Sequence, residues 1–263
     1  MYDFAYHKPS TVADAVAMLA ADPDAKPVSG GHTLLPALKH RLNKPTALID
    51  ISGIAELKGI RREGNSLIVG ALCTHNEVAT SDVVMAAIPS LASMASHIGD
   101  TQVRNRGTMG GSVANNDPAA DYPSAVLALG ATIHTSKRKI AADDFFQGMF
   151  TTALADGEIV RRVGFKVPTG AAYAKFRHPA SRYAVVGVFA ARFGAVARVA
   201  VIGAGACVFR WAEAEAALGA SFAPAAVKGM TLDAADLNSD IHASAEFRAH
   251  LAGVMLAQAV GEA

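Results

Sequence analysis

Cysteine is nearly missing from this 263-residue sequence: Cys73 and Cys207 are the only two. They lie far apart and outside any CxxC pair, so this chain's thiols can assemble neither an iron–sulfur cluster nor a cysteine zinc site. Both are read as buried small hydrophobes, and so low a count suits a reducing compartment. Charge is scarce as well. Charged residues make up 18%, against about 25% in an average domain, and the net charge at pH 7 is +1. That balance gives no reason to expect nucleic acid or an anionic membrane, and the short Lys39-His40-Arg41 and Lys44 cluster reads as a solvated helix face. No apolar run approaches the roughly 20 residues that span a bilayer. The start, Met1-Tyr2-Asp3-Phe4, is unlike a basic and then apolar signal peptide, so the expected location is the cytoplasm. The nine histidines show no HxH or HExxH spacing and no GxSxG elbow occurs, so neither a catalytic metal nor a serine nucleophile is expected.

What is abundant is apolar: hydrophobic residues reach 51%. The chain is long enough for a large core divided into two or three lobes. A surface so poor in charge fits a protein that hides area against partners. An alanine-rich coding genome gives the same composition, and composition does not choose between the two.

Periodicity lays out the chain. Phe4–Tyr6 reads as a short strand, and Thr11 caps a helix to about Ala21. Pro27-Val28 is extended, a helix opens at Thr33, and Ala47–Ile51 is a strand; this alternation implies a small parallel sheet. Strands are then expected at Leu67–Val69, Thr132–Thr135 and Glu158–Val167. Between the first two lie helices near Thr74–Ala79, Val83–Ile88, Ser90–His97 and Asp121–Leu129. Pro168-Thr169-Gly170 marks a boundary. Beyond it, strands at Ala172–Phe176, Ala184–Arg192, Val196–Ile202 and Ala206–Phe209 imply an antiparallel sheet. Helices at Ala212–Leu218 and Ser244–Val260 pack on one face of it. Three segments result: 1–57, 58–169 and 170–263. Gly203-Ala204-Gly205 lacks the third glycine of a dinucleotide fingerprint and reads as a turn between strands.

Two glycine-paired turns carry the chemistry. The first is Val28-Ser29-Gly30-Gly31-His32-Thr33-Leu34; the second is Gly107-Thr108-Met109-Gly110-Gly111-Ser112, followed by Asp117-Pro118 and Asp121. Paired glycines permit positive φ and bring bare N–H groups close to a ligand. Successive N–H groups, with a helix start behind them, form an anion site. Two such turns suit two neighbouring negative groups, such as the pyrophosphate of a dinucleotide.

These residues have a family. Ser29-Gly30-Gly31-His32-Thr33-Leu34-Leu35-Pro36 resembles the first flavin-binding turn in the medium, FAD-binding subunit of the aerobic carbon monoxide dehydrogenase and xanthine dehydrogenase family. The stretch from His97 to Ser112 resembles its second turn. Asp117–Asp121, Lys175–Ala184 and the tail Asp240–His250 are similar to later segments. Met109 stands where isoleucine is usual, a volume-conserving change, and the last lobe is short around Pro224–Asp236.

The resemblance implies an α+β fold of the p-cresol-methylhydroxylase/vanillyl-alcohol-oxidase type: two FAD-binding lobes plus a C-terminal antiparallel sheet with helices. It implies that residues 28–34 and Thr108, Met109, Gly110, Gly111 and Ser112 hold the pyrophosphate and ribityl region. Asp121 would face the adenosine part, or cap a helix, or both. Ile98 and Val160 would pack on the cofactor or belong to the core. Lys175 or Arg177 would supply a cation, and Tyr183 would lie beside the isoalloxazine. The implied function is electron transfer: an iron–sulfur small subunit and a molybdopterin large subunit feed FAD on this chain, in a dimer of heterotrimers. Two alternatives are a stand-alone flavin oxidase with FAD linked through His32, and a non-catalytic nucleotide-binding module.

Overall fold

The computed structural model describes residues 1–263. The first segment is β1 (Ala5–His7), α1 (Val12–Ala21), β2 (Lys26–Val28), α2 (Leu34–Lys39) and β3 (Ala47–Asp50). Its sheet is parallel in the order β1-β3-β2, so the alternating pattern gave the right topology. Thr11 caps α1 by accepting from the Asp14 N–H. Val12, Ala15 and Leu19, at helical spacing, fill a small core with Ile49, Ile54 and Leu57. Leu72 and Ile159 join that core, so the second sheet is keyed into the first lobe.

The middle segment holds β4 (Ile60–Glu63), β5 (Ser66–Gly70), α3 (His75–Thr80), α4 (Asp82–Ala87), α5 (Pro89–Ser96), α6 (Thr101–Arg104), α7 (Met109–Asn115) and α8 (Tyr122–Ala128). It continues through β6 (Thr132–Thr135), β7 (Lys139–Ala141), α9 (Ala142–Phe145), β8 (Phe146–Gly148), β9 (Thr151–Thr152) and β10 (Val160–Lys166). Its main sheet runs β4-β5-β10-β6-β7, antiparallel throughout. The edge strands β4 and β7 were not expected. Ile60-Arg61-Arg62-Glu63 and Lys139-Ile140-Ala141 carry the charge that keeps an edge from pairing with another molecule, and charge also weakens the strand signal.

The last segment contains β11 (Gly170–Arg177), β12 (Ala184–Phe193), β13 (Val196–Ile202), β14 (Phe209–Arg210), α10 (Ala212–Ala220) and α11 (Ala245–Glu262). The sheet is antiparallel in chain order, and in place of the strand expected over Ala206–Phe209 stands the two-residue β14, which shares only Phe209 with it. Both faces are covered. Ala172, Ala174, Val186, Val188, Val199 and Val201 meet α10 and α11. Tyr173, Phe189, Ala191, Ala200 and Ile202 point the other way, into the core built on α5 and α8. Burial on both sides explains the unbroken apolar run of β12. Each sheet thus lies within one of the three expected segments, while the largest core runs across the second and third.

Three corrections concern local detail. Cys207 is half-buried rather than buried, whereas Cys73 is enclosed with its thiol on the Gly59 carbonyl, 3.4 Å. The second glycine turn is the start of a helix: Thr108 caps α7, its hydroxyl accepting from the Gly111 N–H at 3.2 Å. Finally, of the paired glycines only Gly31 has positive φ, +74°. Gly30 and Gly110 are required by close approach. A Cβ on Gly30 would sit 2.2 Å from the Arg106 carbonyl oxygen, and one on Gly110 would sit 2.4 Å from the Ala71 Cβ.

Gly203-Ala204-Gly205 connects β13 to β14, and Gly203 is pinned there by Arg248 of α11. That guanidinium, 4% exposed, donates to the carbonyls of Val185 (2.7 Å) and Gly203 (3.0 Å) and to Asp240 (2.7 Å). Arg248→Met would strand two buried carbonyls, at a cost of about 2–4 kcal/mol. A urea titration checks this; a change under about 0.5 kcal/mol, the range of ordinary surface substitutions, would contradict the clamp.

Candidate functional site

The two glycine turns come together. Gly30 abuts the Arg106–Gly107 backbone. The Ser29 hydroxyl bonds that of Thr108 at 3.0 Å, and the carbonyl of Gly107 accepts from the His75 N–H at 3.0 Å. They share one cleft of about 590 Å³ that runs from the first lobe across the second to the β11–β12 loop. All but three of the expected residues line it: Val28, Ser29, Gly30, Gly31, His32, Thr33, Leu34, Ile98, Thr108, Gly110, Gly111, Ser112, Asp121, Val160 and Tyr183.

The first turn is built to receive an anion. From Gly30 to Leu34 the backbone N–H groups have no acceptor within the chain, and the first helical bond beyond them is Leu35 N–H to the Gly31 carbonyl, 3.0 Å. Unpaired donors in a concave loop form an anion-binding surface. The His32 Nδ1 is held on the Gly30 carbonyl at 3.0 Å, which fixes the imidazole over the turn. The second turn has fewer free donors, because the N–H groups of Met109 and Gly110 bond to the carbonyls of Cys73 and Ala71, both at 2.9 Å. It contributes hydroxyls and shape: Thr108 and Ser112, with glycines where a side chain would close the space.

Three expected residues fall outside the cleft. Met109 is fully buried in the main core, because it is the first residue of α7 and its side chain points inward. Lys175 is committed elsewhere: its ammonium lies 2.7 Å from Asp121, with both side chains almost fully buried. The Tyr173 hydroxyl donates to the same carboxylate oxygen at 2.5 Å. Arg177 is exposed at the end of β11, where the pairing with β12 shifts register. The choice between Lys175 and Arg177 as a cation in the cleft therefore falls on neither. Asp121 does stand at the N-cap of α8 but makes no capping hydrogen bond, because its carboxylate faces β11 instead.

Tyr183 sits in the β11–β12 loop, tied by the His178 N–H to its own carbonyl at 2.9 Å; Arg182 before it takes a left-handed φ of +63°. Partial burial, with Asp117 and Asp121 nearby, raises the phenol above its ordinary range, so the ring enters the cleft neutral. Glu158, Arg182 and His75 also line the cleft; Arg182 lies in the Lys175–Ala184 stretch without having been singled out, and no motif marks the other two.

His75 is 5% exposed. Burial first, then His32 and Arg104, pull its pKa down to about 4. The unfolded chain takes up that proton near pH 6.5 and the folded chain does not, so stability falls as pH drops through this window. His97 and His134, also lowered by burial, act in the same direction. Urea midpoints at pH 7.5 and 5 should show the loss, and His75→Gln should reduce it; an equal slope in the variant would contradict the assignment.

Residues 2–169 match the family described as "FAD binding domain in molybdopterin dehydrogenase". The chain belongs to this family. It is 35% identical to the carbon monoxide dehydrogenase medium chain of Afipia carboxidovorans over 99% of this chain and 96% of that one. It is 33% identical to the nicotine 6-hydroxylase medium subunit of Paenarthrobacter nicotinovorans, over 98% and 96%. Among solved structures it is similar to reconstituted CO dehydrogenase from Oligotropha carboxidovorans: TM-score 0.91, 34% identity, 100% of this chain and 98% of that one. As a member of the molybdopterin dehydrogenase family it is an FAD-binding oxidoreductase chain of the medium-subunit type. Its free N–H groups and glycine-shaped space fit the phosphate portion of FAD. No helix is long and apolar enough to cross a membrane.

Proposed function

We propose that this chain is the electron-transfer subunit of a cytoplasmic molybdenum hydroxylase. It takes electrons from an iron–sulfur small subunit and delivers them to an external acceptor, while a molybdopterin large subunit oxidises the organic substrate. The assembly is a dimer of heterotrimers, and the chain divides near residues 57 and 169. The observation that carries the reading is the single cleft in which a run of unpaired N–H groups from the first turn meets the second turn and, farther along, Tyr183.

Bound FAD supplies the redox chemistry, exchanging electrons singly on one side and in pairs on the other. The protein's residues bind and orient it. Residues 30–34 would hold the pyrophosphate through backbone donors, and Ser29, Thr108 and Ser112 would close the other side. Asp121 has one carboxylate oxygen engaged by Tyr173 and Lys175. Its other oxygen can accept from a ribose hydroxyl. Tyr183 would screen the isoalloxazine from water.

Two measurements test this. Acid denaturation should release all flavin into the supernatant as FAD; colour retained in the pellet would favour an oxidase with flavin linked through His32. Tyr183→Ala should shift the flavin potential or the acceptor rate with FAD affinity changed less than about threefold, since phosphate contacts dominate binding. An unchanged spectrum, potential and rate would make Tyr183 a packing residue.

A further inference from the structure

We propose that His75 is a cofactor-binding residue, donating a hydrogen bond from Nε2 to a pyrophosphate oxygen of FAD lying between the two glycine turns. The inference rests on the FAD reading above and adds a contact outside both motifs. His75 is the first residue of α3, held by the Thr74 capping box and by its own N–H on the Gly107 carbonyl. Its ring is placed where the turns join. A Cβ on Gly107 would come 2.5 Å from Nε2, and one on Gly30 would come 2.9 Å from the Gly107 Cα.

No group of the chain hydrogen-bonds either ring nitrogen. Nδ1 is fully enclosed and unpartnered, and the ring lines the cleft. With the proton on Nε2, the nitrogen that is not enclosed, the ring can donate to a ligand acceptor in the cleft. Burial keeps the ring neutral at physiological pH, so it offers one donor and no charge.

The neighbouring basic groups do not compete for the position. The Nδ1 of His32 is on the Gly30 carbonyl, and the Arg104 guanidinium donates to the carbonyls of Ile98 and Gly99 at 3.1 and 3.2 Å. The adjacent Tyr122 ring lies tilted at 5.3 Å, and its hydroxyl is fully enclosed, so it cannot reach the cleft.

The test titrates the full chain, freed of flavin, with FAD and with ADP, following flavin fluorescence and calorimetric heat. His75→Leu should weaken both ligands about tenfold or more, as expected for a hydrogen bond to a charged group. His75→Gln, whose amide nitrogen falls near the position of Nε2, should stay within about threefold of the original. Unchanged affinity in His75→Leu overturns the proposal, and so does a loss for FAD without one for ADP. Gly111→Asp runs alongside: if it too binds FAD normally, the cleft reading has failed rather than the histidine alone. Should His75→Leu fail to fold, the unaltered chain labelled with ¹⁵N-histidine decides. Addition of ADP should then shift a neutral, Nε2-protonated resonance that is missing from the spectrum of His75→Gln, and no shift overturns the assignment.

Discussion

Gly111→Asp should yield a folded chain that carries no FAD. A Cβ at Gly111 would lie 2.8 Å from the Thr108 Oγ1 and 3.0 Å from the Ser29 Oγ, so the new carboxylate enters between the hydroxyls that link the two turns. Hydroxyls can yield, and the helix start is compatible with a side chain, so the fold survives. The charge cannot be accommodated as easily. Two like charges 4 Å apart repel by about 4 kcal/mol at the effective dielectric near a protein surface, which is more than a hundredfold in affinity. The flavin-to-protein absorbance ratio, with far-ultraviolet circular dichroism as the control for folding, gives the answer. A normal ratio would remove the second turn from the site.

Lys175→Met should have the largest effect on stability. Lys175 on β11 and Asp121 at the start of α8 join the third sheet to the second lobe, and their side chains are 3% and 6% exposed. Losing the ammonium leaves a buried carboxylate with only the Tyr173 hydroxyl, a penalty of about 3–5 kcal/mol. That is a large part of the total stability of an ordinary domain, about 5–15 kcal/mol. Adding Asp121→Asn to the same chain should recover much of it, because the double variant no longer buries an unpaired charge. The coupling from a double-mutant cycle in urea reads this directly. A cost below about 1 kcal/mol for Lys175→Met, the level of an exposed pair, would mean that the contact does not hold the lobes together.

Where one stretch of chain makes its own structure, the sequence was readable. Thr11 with its apolar positions at helical spacing, and Val196–Ile202 with its alternation, declare their elements locally. The glycine turns were visible for the same reason. Their role was only half right: the glycines were expected to supply positive φ, yet Gly30 and Gly110 are needed because Arg106 and Ala71 come so near. That fact lives between segments. The helix α7 was hidden because two glycines in Met109–Asn115 argue against a helix, and its cap, Thr108, had to supply the counter-argument.

The site followed the same division. Residues carried by motif, from Val28 to Leu34 and from Thr108 to Ser112, could be named, although Met109 turned inward. Residues defined by packing could not. Lys175 looks like a free cation in the sequence, and only the approach of β11 to α8 commits it to Asp121. His75 follows an ordinary capping threonine, and nothing around it announces that Gly107 will fold onto its ring. Its signal is a ring that lines the cleft with Nε2 unengaged by the chain, which exists only in three dimensions.

The central claim is that this chain carries electrons and has no substrate chemistry of its own. The most direct measurement compares substrate-dependent dye reduction by the isolated chain with that of the chain co-expressed with its iron–sulfur and molybdopterin partners. Size-exclusion chromatography and flavin and metal analysis are run on the same fractions. The account predicts no turnover by the isolated chain, and turnover only in fractions holding all three chains with one FAD per copy of this one. Robust turnover of a small organic substrate by the isolated, monomeric chain would contradict it.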